Sequence, residues 1–282
     1  MSNRLNLKKP PEPGFLTAGM ISVASGKGGV GKSIISYNLA RALSESKKVL
    51  LVDGDFQMGN IALLSNVASD YGWGDACGGI TEIENCVIKA SDRLDILPSA
   101  GAKTEIKLPE INALAKSMVR LREMLDNYDL IIIDTASGIL PQTYLILNAV
   151  DKNILITTPE LTSLTDTYAL YKILITNNSN LEVALLINRE DRLEDIKYIY
   201  RKFTAITNQF LKINPSYLGW IPNDNTLVDS VAMQKSVFDF APDCRSARQF
   251  MALTGLLAES EITESFDSKP LSLSPQGADI KE

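Results

Sequence analysis

Histidine is absent from all 282 residues of the chain. Because imidazole is the usual proton carrier near neutral pH and a frequent metal ligand, its absence excludes a Ser-His-Asp triad and any histidine-liganded metal centre. Cysteine is scarce: Cys77, Cys86 and Cys244 are too few and too scattered for a disulfide framework or a four-cysteine zinc site. We expect them to be buried thiols in a reducing compartment.

Long apolar runs are also missing. Residues 1–18 are polar and contain prolines, with no segment suited to a signal peptide, and no stretch approaches the ~20 apolar residues of a membrane span. A soluble, cytoplasmic protein is therefore expected. Acidic residues outnumber basic ones by 34 to 28, for a net charge of −6, which argues against a broadly basic nucleic-acid-binding surface.

The remaining composition is that of an ordinary globular protein, with 45% hydrophobic and 22% charged residues. This balance excludes bulk disorder and a coiled coil. From Met20 onward, short apolar runs alternate with longer amphipathic stretches, a pattern typical of βαβ units around a parallel sheet. The sequence thus predicts an α/β fold: a doubly wound, mostly parallel sheet flanked by helices.

The pattern places elements along one domain. Strands are predicted at residues 20–24, 48–52, 94–97, 130–134, 154–158, 183–188 and 217–221, and helices at 33–45, 108–125, 161–175, 195–211 and 247–258. The Gly-containing stretch 66–79 is predicted to be an irregular loop. Residues 1–18 are predicted to form a flexible arm, residues 19–260 the folded domain, and residues 261–282 a polar, disordered tail.

The clearest motif follows the first predicted strand. It reads Gly26-Lys27-Gly28-Gly29-Val30-Gly31-Lys32-Ser33 and fits the phosphate-loop pattern G-x-x-x-x-G-K-[ST]. In such a loop, backbone N–H groups at the start of a helix converge on phosphate oxygens. Lys32 is predicted to reach the β- and γ-phosphates of ATP, and the Ser33 hydroxyl to bind Mg²⁺. The expected nucleotide contacts here are Gly28, Gly29, Val30, Gly31, Lys32, Ser33 and Ile34; a Gly-rich turn matching by chance is the alternative.

Two further predicted strands end in carboxylates. Asp53 and Asp55 close the second strand, and Asp134 closes the apolar run 130–134 in the Walker B form. A carboxylate at the C-terminal end of a strand, beside a phosphate loop, can orient water or hold a metal ion. Asp55 and Asp134 therefore join Ser33 as predicted magnesium ligands, with Asp134 acting through water. Turn capping by Asp53 and Asp55 is the alternative.

The phosphate loop and a later segment carry a family resemblance. Residues 27–33, with a lysine directly after the first glycine, resemble the deviant Walker A motif of the MinD/ParA ATPases. Residues 157–170, TTPELTSLTDTYAL, resemble a stretch typical of MinD and, more closely, of the flagellar-number regulators FlhG and FleN. The resemblance implies that Lys27 reaches the nucleotide of a partner subunit and that Asp55 positions the attacking water. A solvated lysine is the alternative for Lys27.

The resemblance also implies residues that contact the base. Asn188 and Arg189 match the purine-reading pair of the family, and residues 221–224, which include Pro222 and Asp224, match a loop that lies over the base. An asparagine side chain can pair with both the donor and the acceptor edge of adenine. Helix capping is the alternative for Asn188 and for Asp224.

The resemblance covers residues 19–258 and implies a MinD-like P-loop fold with ATP and Mg²⁺ as cofactors. It further implies slow ATP hydrolysis, with Lys27, Lys32, Asp55 and Asp134 as the catalytic residues, and an ATP-dependent homodimer. Such a switch would regulate the placement or number of a cellular assembly, here flagella, through a protein partner such as an FlhF-like GTPase or a flagellar component. The alternative is a ParA-type partition ATPase whose ATP-bound dimer binds DNA.

The tail departs from this family. MinD and FlhG proteins typically end in a basic amphipathic helix that docks on the membrane, whereas residues 261–282 have few apolar positions and many acids. Membrane contact through the tail is therefore not expected. A peripheral position at the inner membrane or cell pole would need another surface or a partner.

Overall fold

A computed structural model of the protein describes residues 19–103 and 107–255. The predicted arm, the predicted tail and the last residues of the helix predicted at 247–258 lie outside the described residues. Within the described ranges, one eight-stranded sheet carries ten α-helices on its two faces. No helix in this part of the chain is long and apolar enough to cross a bilayer.

All seven predicted strands are present, and the sheet contains one further strand, which is only two residues long. The strand order is β3-β4-β2-β5-β1-β6-β7-β8, and all neighbouring pairs are parallel except β3 with β4. The bounds are β1 (Gly19–Ala24), β2 (Val49–Gly54), β3 (Ile88–Lys89), β4 (Leu94–Leu97), β5 (Leu130–Thr135), β6 (Lys152–Thr157), β7 (Glu182–Asn188) and β8 (Ser216–Ile221). The central strands are nearly continuous in Ile, Leu and Val because helices cover both of their faces.

The helices form one layer on each side of the sheet. Their bounds are α1 (Lys32–Leu43), α2 (Ile61–Leu64), α3 (Trp73–Cys77), α4 (Ile111–Glu123), α5 (Pro141–Ala149), α6 (Leu161–Asn177), α7 (Leu193–Phe210), α8 (Asn225–Ala232), α9 (Val237–Phe240) and α10 (Arg245–Leu253). Apolar residues of α1, α2 and α8–α10 pack on one face of the sheet, and those of α3–α7 on the other. The doubly wound prediction is confirmed.

The prediction of an irregular loop at residues 66–79 is wrong in part, because this stretch contains α3. Trp73 begins the helix and is fully buried, with its ring 5.0 Å from that of Phe56 and its Nε1 donating to Ser117 Oγ at 2.7 Å. Asp75 accepts the Gly72 N–H at 2.7 Å and so caps the first turn. Burial of one large aromatic side chain thus outweighs the low helix propensity of the glycines.

The sheet order brings the loops of the candidate site together. β1 lies between β5 and β6, and β2 lies on the other side of β5. Asp53 of β2 is directly opposite Asp134 of β5. The carboxyl ends of β1, β2 and β5 therefore meet at one edge of the sheet, where open α/β proteins bind their ligands.

Candidate functional site

The phosphate loop connects β1 to α1 and is held close to α6. Gly31 precedes α1 with φ of 96°, a left-handed conformation that favours glycine. A Cβ atom on Gly26 would lie 2.1 Å from the backbone oxygen of Asp166. A side chain at residue 26 therefore cannot be accommodated without moving α6 away from the loop. Of the predicted contacts, Val30 is buried, whereas Gly28 and Gly29 are exposed at the mouth of the loop.

Lys32 lies inside the site, in the first turn of α1. Its side chain is buried, and Nζ donates a hydrogen bond to Ser137 Oγ at 2.6 Å. Burial lowers the pKa of Lys32, while the negative charges of Asp134 and Asp55 oppose this shift. The lysine thus bridges the phosphate loop and the loop after β5, where an incoming phosphate would compete with the Ser137 hydroxyl.

Asp134 is fully buried at the end of β5. Its Oδ1 accepts a hydrogen bond from Ser36 Oγ at 2.9 Å, and its Oδ2 has no hydrogen-bond partner among the described residues. Burial raises the pKa of Asp134 to about 6, against the opposing effects of the nearby Ser33 hydroxyl and of the positive charge of Lys32. An unpartnered buried carboxylate oxygen close to a phosphate loop is the donor chemistry that Mg²⁺ requires, so Asp134 and the Ser33 hydroxyl fit this ion.

Asp53 and Asp55 occupy the loop after β2 and have different contacts. Asp53 is buried; one of its oxygens accepts the Asp55 N–H at 3.1 Å and the other the Ile61 N–H at 3.0 Å. Burial next to Asp134 raises the pKa of Asp53 to about 8. Asp55 is partly exposed, and its Oδ1 accepts the N–H groups of Gln57 and Met58 at 3.3 and 3.0 Å. Both aspartates therefore cap this turn. The negative charge of Asp55 also lies near enough to Lys32 to raise the pKa of that lysine.

Asn188, at the end of β7, is brought to the phosphate loop. Its Nδ2 donates to the Val30 carbonyl at 2.7 Å, while its buried Oδ1 has no partner among the described residues. This leaves an acceptor suited to an exocyclic amino group such as that of adenine. Arg189, the next residue, has a positive φ of 62° and donates its N–H to the Ile221 carbonyl at 2.9 Å.

Pro222 and Asp224 follow β8, as predicted, but the contacts of Asp224 are those of a helix cap. Its Oδ1 accepts the Thr226 N–H at 3.0 Å at the start of α8, and its Oδ2 accepts the Ser246 N–H at 3.0 Å at the start of α10. These bonds lower its pKa, against the raising effect of burial. The capping alternative therefore describes Asp224, and its role beside a base remains a prediction.

Lys27 has partners that the sequence did not reveal. Its Nζ forms an ion pair with Glu160 and donates to Thr162 Oγ1 at 3.0 Å. The Lys27 side chain remains 35% exposed and the Glu160 side chain 56% exposed. The segment 157–170 supplied a family match but no hint of this contact, because Lys27 and Glu160 are separated by 133 positions. Ser36 was missed for the same reason, because it lies 98 positions from its partner Asp134.

Together these features define a class: a doubly wound α/β protein with a phosphate loop and a buried, metal-competent carboxylate at the switch point of the sheet. The comparisons with known proteins agree. A family model described as an AAA domain matches residues 18–187. The chain belongs to this family and, within it, to the MinD/ParA group of ATPases.

Curated relatives of known name are similar over nearly the whole chain. The antiactivator FleN of Pseudomonas aeruginosa is 28% identical over 92% of this chain and 89% of its own length. The flagellum site-determining protein YlxH of Helicobacter pylori is 29% identical over 91% of this chain and 88% of its own.

Solved structures give the same fold. The septum site-determining protein MinD of Pyrococcus horikoshii, in complex with Mg-ADP, is 25% identical, with a TM-score of 0.71 over 86% of this chain and 96% of that one. A ParA family ATPase of Chlorobium tepidum has a TM-score of 0.69 over 85% of this chain and 99% of that one, at 23% identity. The Pyrococcus horikoshii protein thus binds Mg-ADP on this same fold.

Proposed function

We propose that the protein is an ATP-dependent switch: it binds ATP with Mg²⁺, dimerises, hydrolyses ATP slowly, and regulates the number or placement of flagella. The observation that carries this proposal is the position of Lys27. Its Nζ lies at the open mouth of the phosphate loop, held only by Glu160 and Thr162 of the same chain among the described residues. Other partners can therefore replace these two contacts when a nucleotide and a second subunit are present.

Nucleotide binding is supported by the unsatisfied groups around the loop. Asp134 Oδ2 and Asn188 Oδ1 are buried without partners and lie on opposite sides of the phosphate loop, toward β5 and β7. Buried polar atoms of this kind are costly unless a ligand completes them. Lys32 and the backbone N–H groups of the loop would hold the phosphates, Ser33 and Asp134 would hold Mg²⁺, and Asn188 and Arg189 would contact the base.

Dimerisation is supported by apolar side chains around the same opening. Met58, Ile139 and Leu161 follow the loops that bear Asp55, Ser137 and Glu160, and all three are exposed. Exposed apolar residues beside a charged cleft are typical of surfaces that another protein covers. A second copy of the chain would bury them and bring its Lys27 to the nucleotide.

Hydrolysis would depend on Asp55. Its partly exposed carboxylate is anchored to the backbone through Oδ1, which leaves Oδ2 available to orient a water molecule at the mouth of the loop. ATP bound with Mg²⁺ would supply the phosphoryl group for that water to attack. Turnover is expected to be slow, because this orientation depends on a surface loop rather than on a rigid buried base.

The flagellar part of the proposal rests on the similarity to FleN and YlxH over most of both chains. A protein partner, such as an FlhF-like GTPase or a flagellar component, would read the ATP-bound state. The test is a count of flagella per cell, by electron microscopy, in the source organism after deletion of the gene and complementation with wild-type or Lys27→Ala protein. The proposal predicts that only the wild-type protein restores the count; an unchanged count after deletion would contradict the flagellar role.

A further inference from the structure

An unassigned surface with an unusual charge distribution lies on α6 and α7. Residues 167–181 and 196–223 contain five Lys or Arg and no Asp or Glu, although acids outnumber bases in the whole chain. These stretches include most of α6 and most of α7. The cations are Lys172, Lys197, Arg201, Lys202 and Lys212.

The two helices pack side by side, so part of this charge lies on one surface. The rings of Tyr168 and Tyr171 on α6 lie 6.5 and 5.9 Å from that of Phe203 on α7. Lys172 follows Tyr168 by four residues and therefore lies on the flank of α6 that borders α7. On α7, Lys202 follows Tyr198 by one turn, with its Nζ 5.9 Å from the centre of the Tyr198 ring. We call Lys172, Tyr198, Arg201 and Lys202 the α6–α7 cationic face.

The positive charge of this face is not neutralised within residues 19–103 and 107–255, the part of the chain that the structure describes. Among the described residues, no carboxylate lies within ion-pair distance of Lys172, Arg201 or Lys202. The contrast with α4 is clear, because there Arg120 pairs with Glu84 and Glu123, and Arg122 pairs with Asp151. The two acids in the first turn of α7, Glu194 and Asp195, already face Arg192. An unneutralised cluster of this kind attracts a polyanion.

The aromatic residues indicate which polyanion. Tyr198 is 60% exposed beside Lys202, and Phe210 at the end of α7 is 64% exposed near Lys212. Two adjacent helices, of 17 and 18 residues, form a broad face about 25 Å long rather than a single helix that could enter a groove of DNA. Exposed aromatic rings among Lys and Arg suit the headgroup layer, where rings insert and the cationic side chains reach lipid phosphates.

We propose that the α6–α7 cationic face binds the surface of an anionic phospholipid bilayer. This contact is separate from the nucleotide site and from residues 261–282. It would give the folded domain itself a reversible, salt-sensitive attachment, since charge attraction of this type weakens as ionic strength rises. Because each cation near such a surface contributes about fivefold to the partition coefficient, three of them supply on the order of 100-fold.

The test is co-sedimentation of the full-length protein with vesicles of phosphatidylcholine alone or mixed with phosphatidylglycerol. The wild-type protein should bind only the anionic vesicles and should be released by salt. The variant Lys172→Gln/Arg201→Gln/Lys202→Gln should partition on the order of 100-fold less. The matched control, Lys116→Gln/Lys235→Gln/Arg248→Gln, removes the same charge from exposed cations on other helices and loops and should bind like the wild type.

A second variant, Tyr198→Ser, keeps every charge and should also bind less tightly, which separates insertion of the ring from charge alone. Circular dichroism melts establish that each variant is folded. Absence of wild-type binding to anionic vesicles would overturn the proposal, as would equal losses in the two triple variants. Binding of random duplex DNA that is lost only in the α6–α7 variant, without lipid binding, would reassign the face to nucleic acid.

Discussion

At the scale of single residues, the loop after β2 carries two aspartates with different tasks. Asp53 is buried and uses both oxygens to accept backbone N–H groups, whereas Asp55 uses Oδ1 alone for both of its backbone contacts. We infer that Asp53 positions the loop and that Asp55 acts on water. The two residues should therefore respond differently to substitution.

Removal of the Asp55 carboxylate should affect turnover and leave the ground-state phosphate contacts of Lys32 in place. For Asp55→Ala we expect ATP hydrolysis to fall at least ~10-fold, since positioned acid–base groups typically contribute about 100- to 10,000-fold, and the ATP-bound dimer to accumulate. Phosphate release measures hydrolysis, light scattering with ATP measures the dimer, and nucleotide affinity reports whether the phosphate contacts remain. Asp229→Ala, which changes an exposed carboxylate on α8, is the control. Wild-type turnover in Asp55→Ala would assign the role to Asp134 instead.

Substitution of Asp53 should cost stability. In Asp53→Asn the amide oxygen can accept only one of the two N–H groups, from Asp55 or Ile61, and the amide nitrogen faces the other as a second donor. Loss of one acceptor in a buried site predicts a free energy of unfolding lower by about 1–3 kcal/mol. Urea unfolding of this variant should be compared with Asp55→Asn, which keeps its accepting oxygen at a partly exposed site. Equal midpoints for the two variants would disprove this assignment.

At the scale of helices and strands, the sequence predicted those elements whose position is encoded in a local run of residues. Continuous apolar runs located all seven long strands, and one eight-residue motif located the phosphate loop between β1 and α1. The two-residue strand β3 and the helices α2, α5, α8 and α9 were not predicted, because a stretch of two to nine residues shows too little periodicity. The contact between Lys27 and Glu160 depends on the packing of α6 against the loop, which no local pattern encodes.

The helix α3 was also missed from the local pattern, and its dependence on packing can be tested by a stability measurement. Trp73 fills the space between Phe56 and α4, so Trp73→Ala should lower the free energy of unfolding by about 3–5 kcal/mol. Thermal or urea unfolding measures the change, and Ile80→Ala, at an exposed position just after the same helix, should have little effect. Similar losses in both variants would mean that Trp73 is not the anchor of this segment.

At the scale of the whole molecule, the folded domain rather than the tail should carry every binding function. Residues 261–282 contain Glu261, Glu264, Asp267, Asp279 and Glu282 against two lysines, a balance that anionic lipid repels. Deletion of this segment should leave ATP binding, dimerisation and vesicle binding essentially unchanged. Co-sedimentation of full-length and truncated protein, with ATP and Mg²⁺, checks this expectation. Vesicle binding that disappears on truncation would show that the tail is an anchor.

The proposed role of Lys27 requires that the nucleotide and a second subunit are bound together, and substitution of Lys27 tests this proposal most directly. Light scattering with Mg²⁺ and a nonhydrolysable ATP analogue should give a dimer for the wild type and for the control Lys116→Ala, an exposed lysine on α4. Lys27→Ala should bind the analogue, because Lys32 and Asp134 remain, yet stay monomeric. A stable dimer of Lys27→Ala, or a wild-type protein that remains monomeric with the analogue bound, would contradict the account.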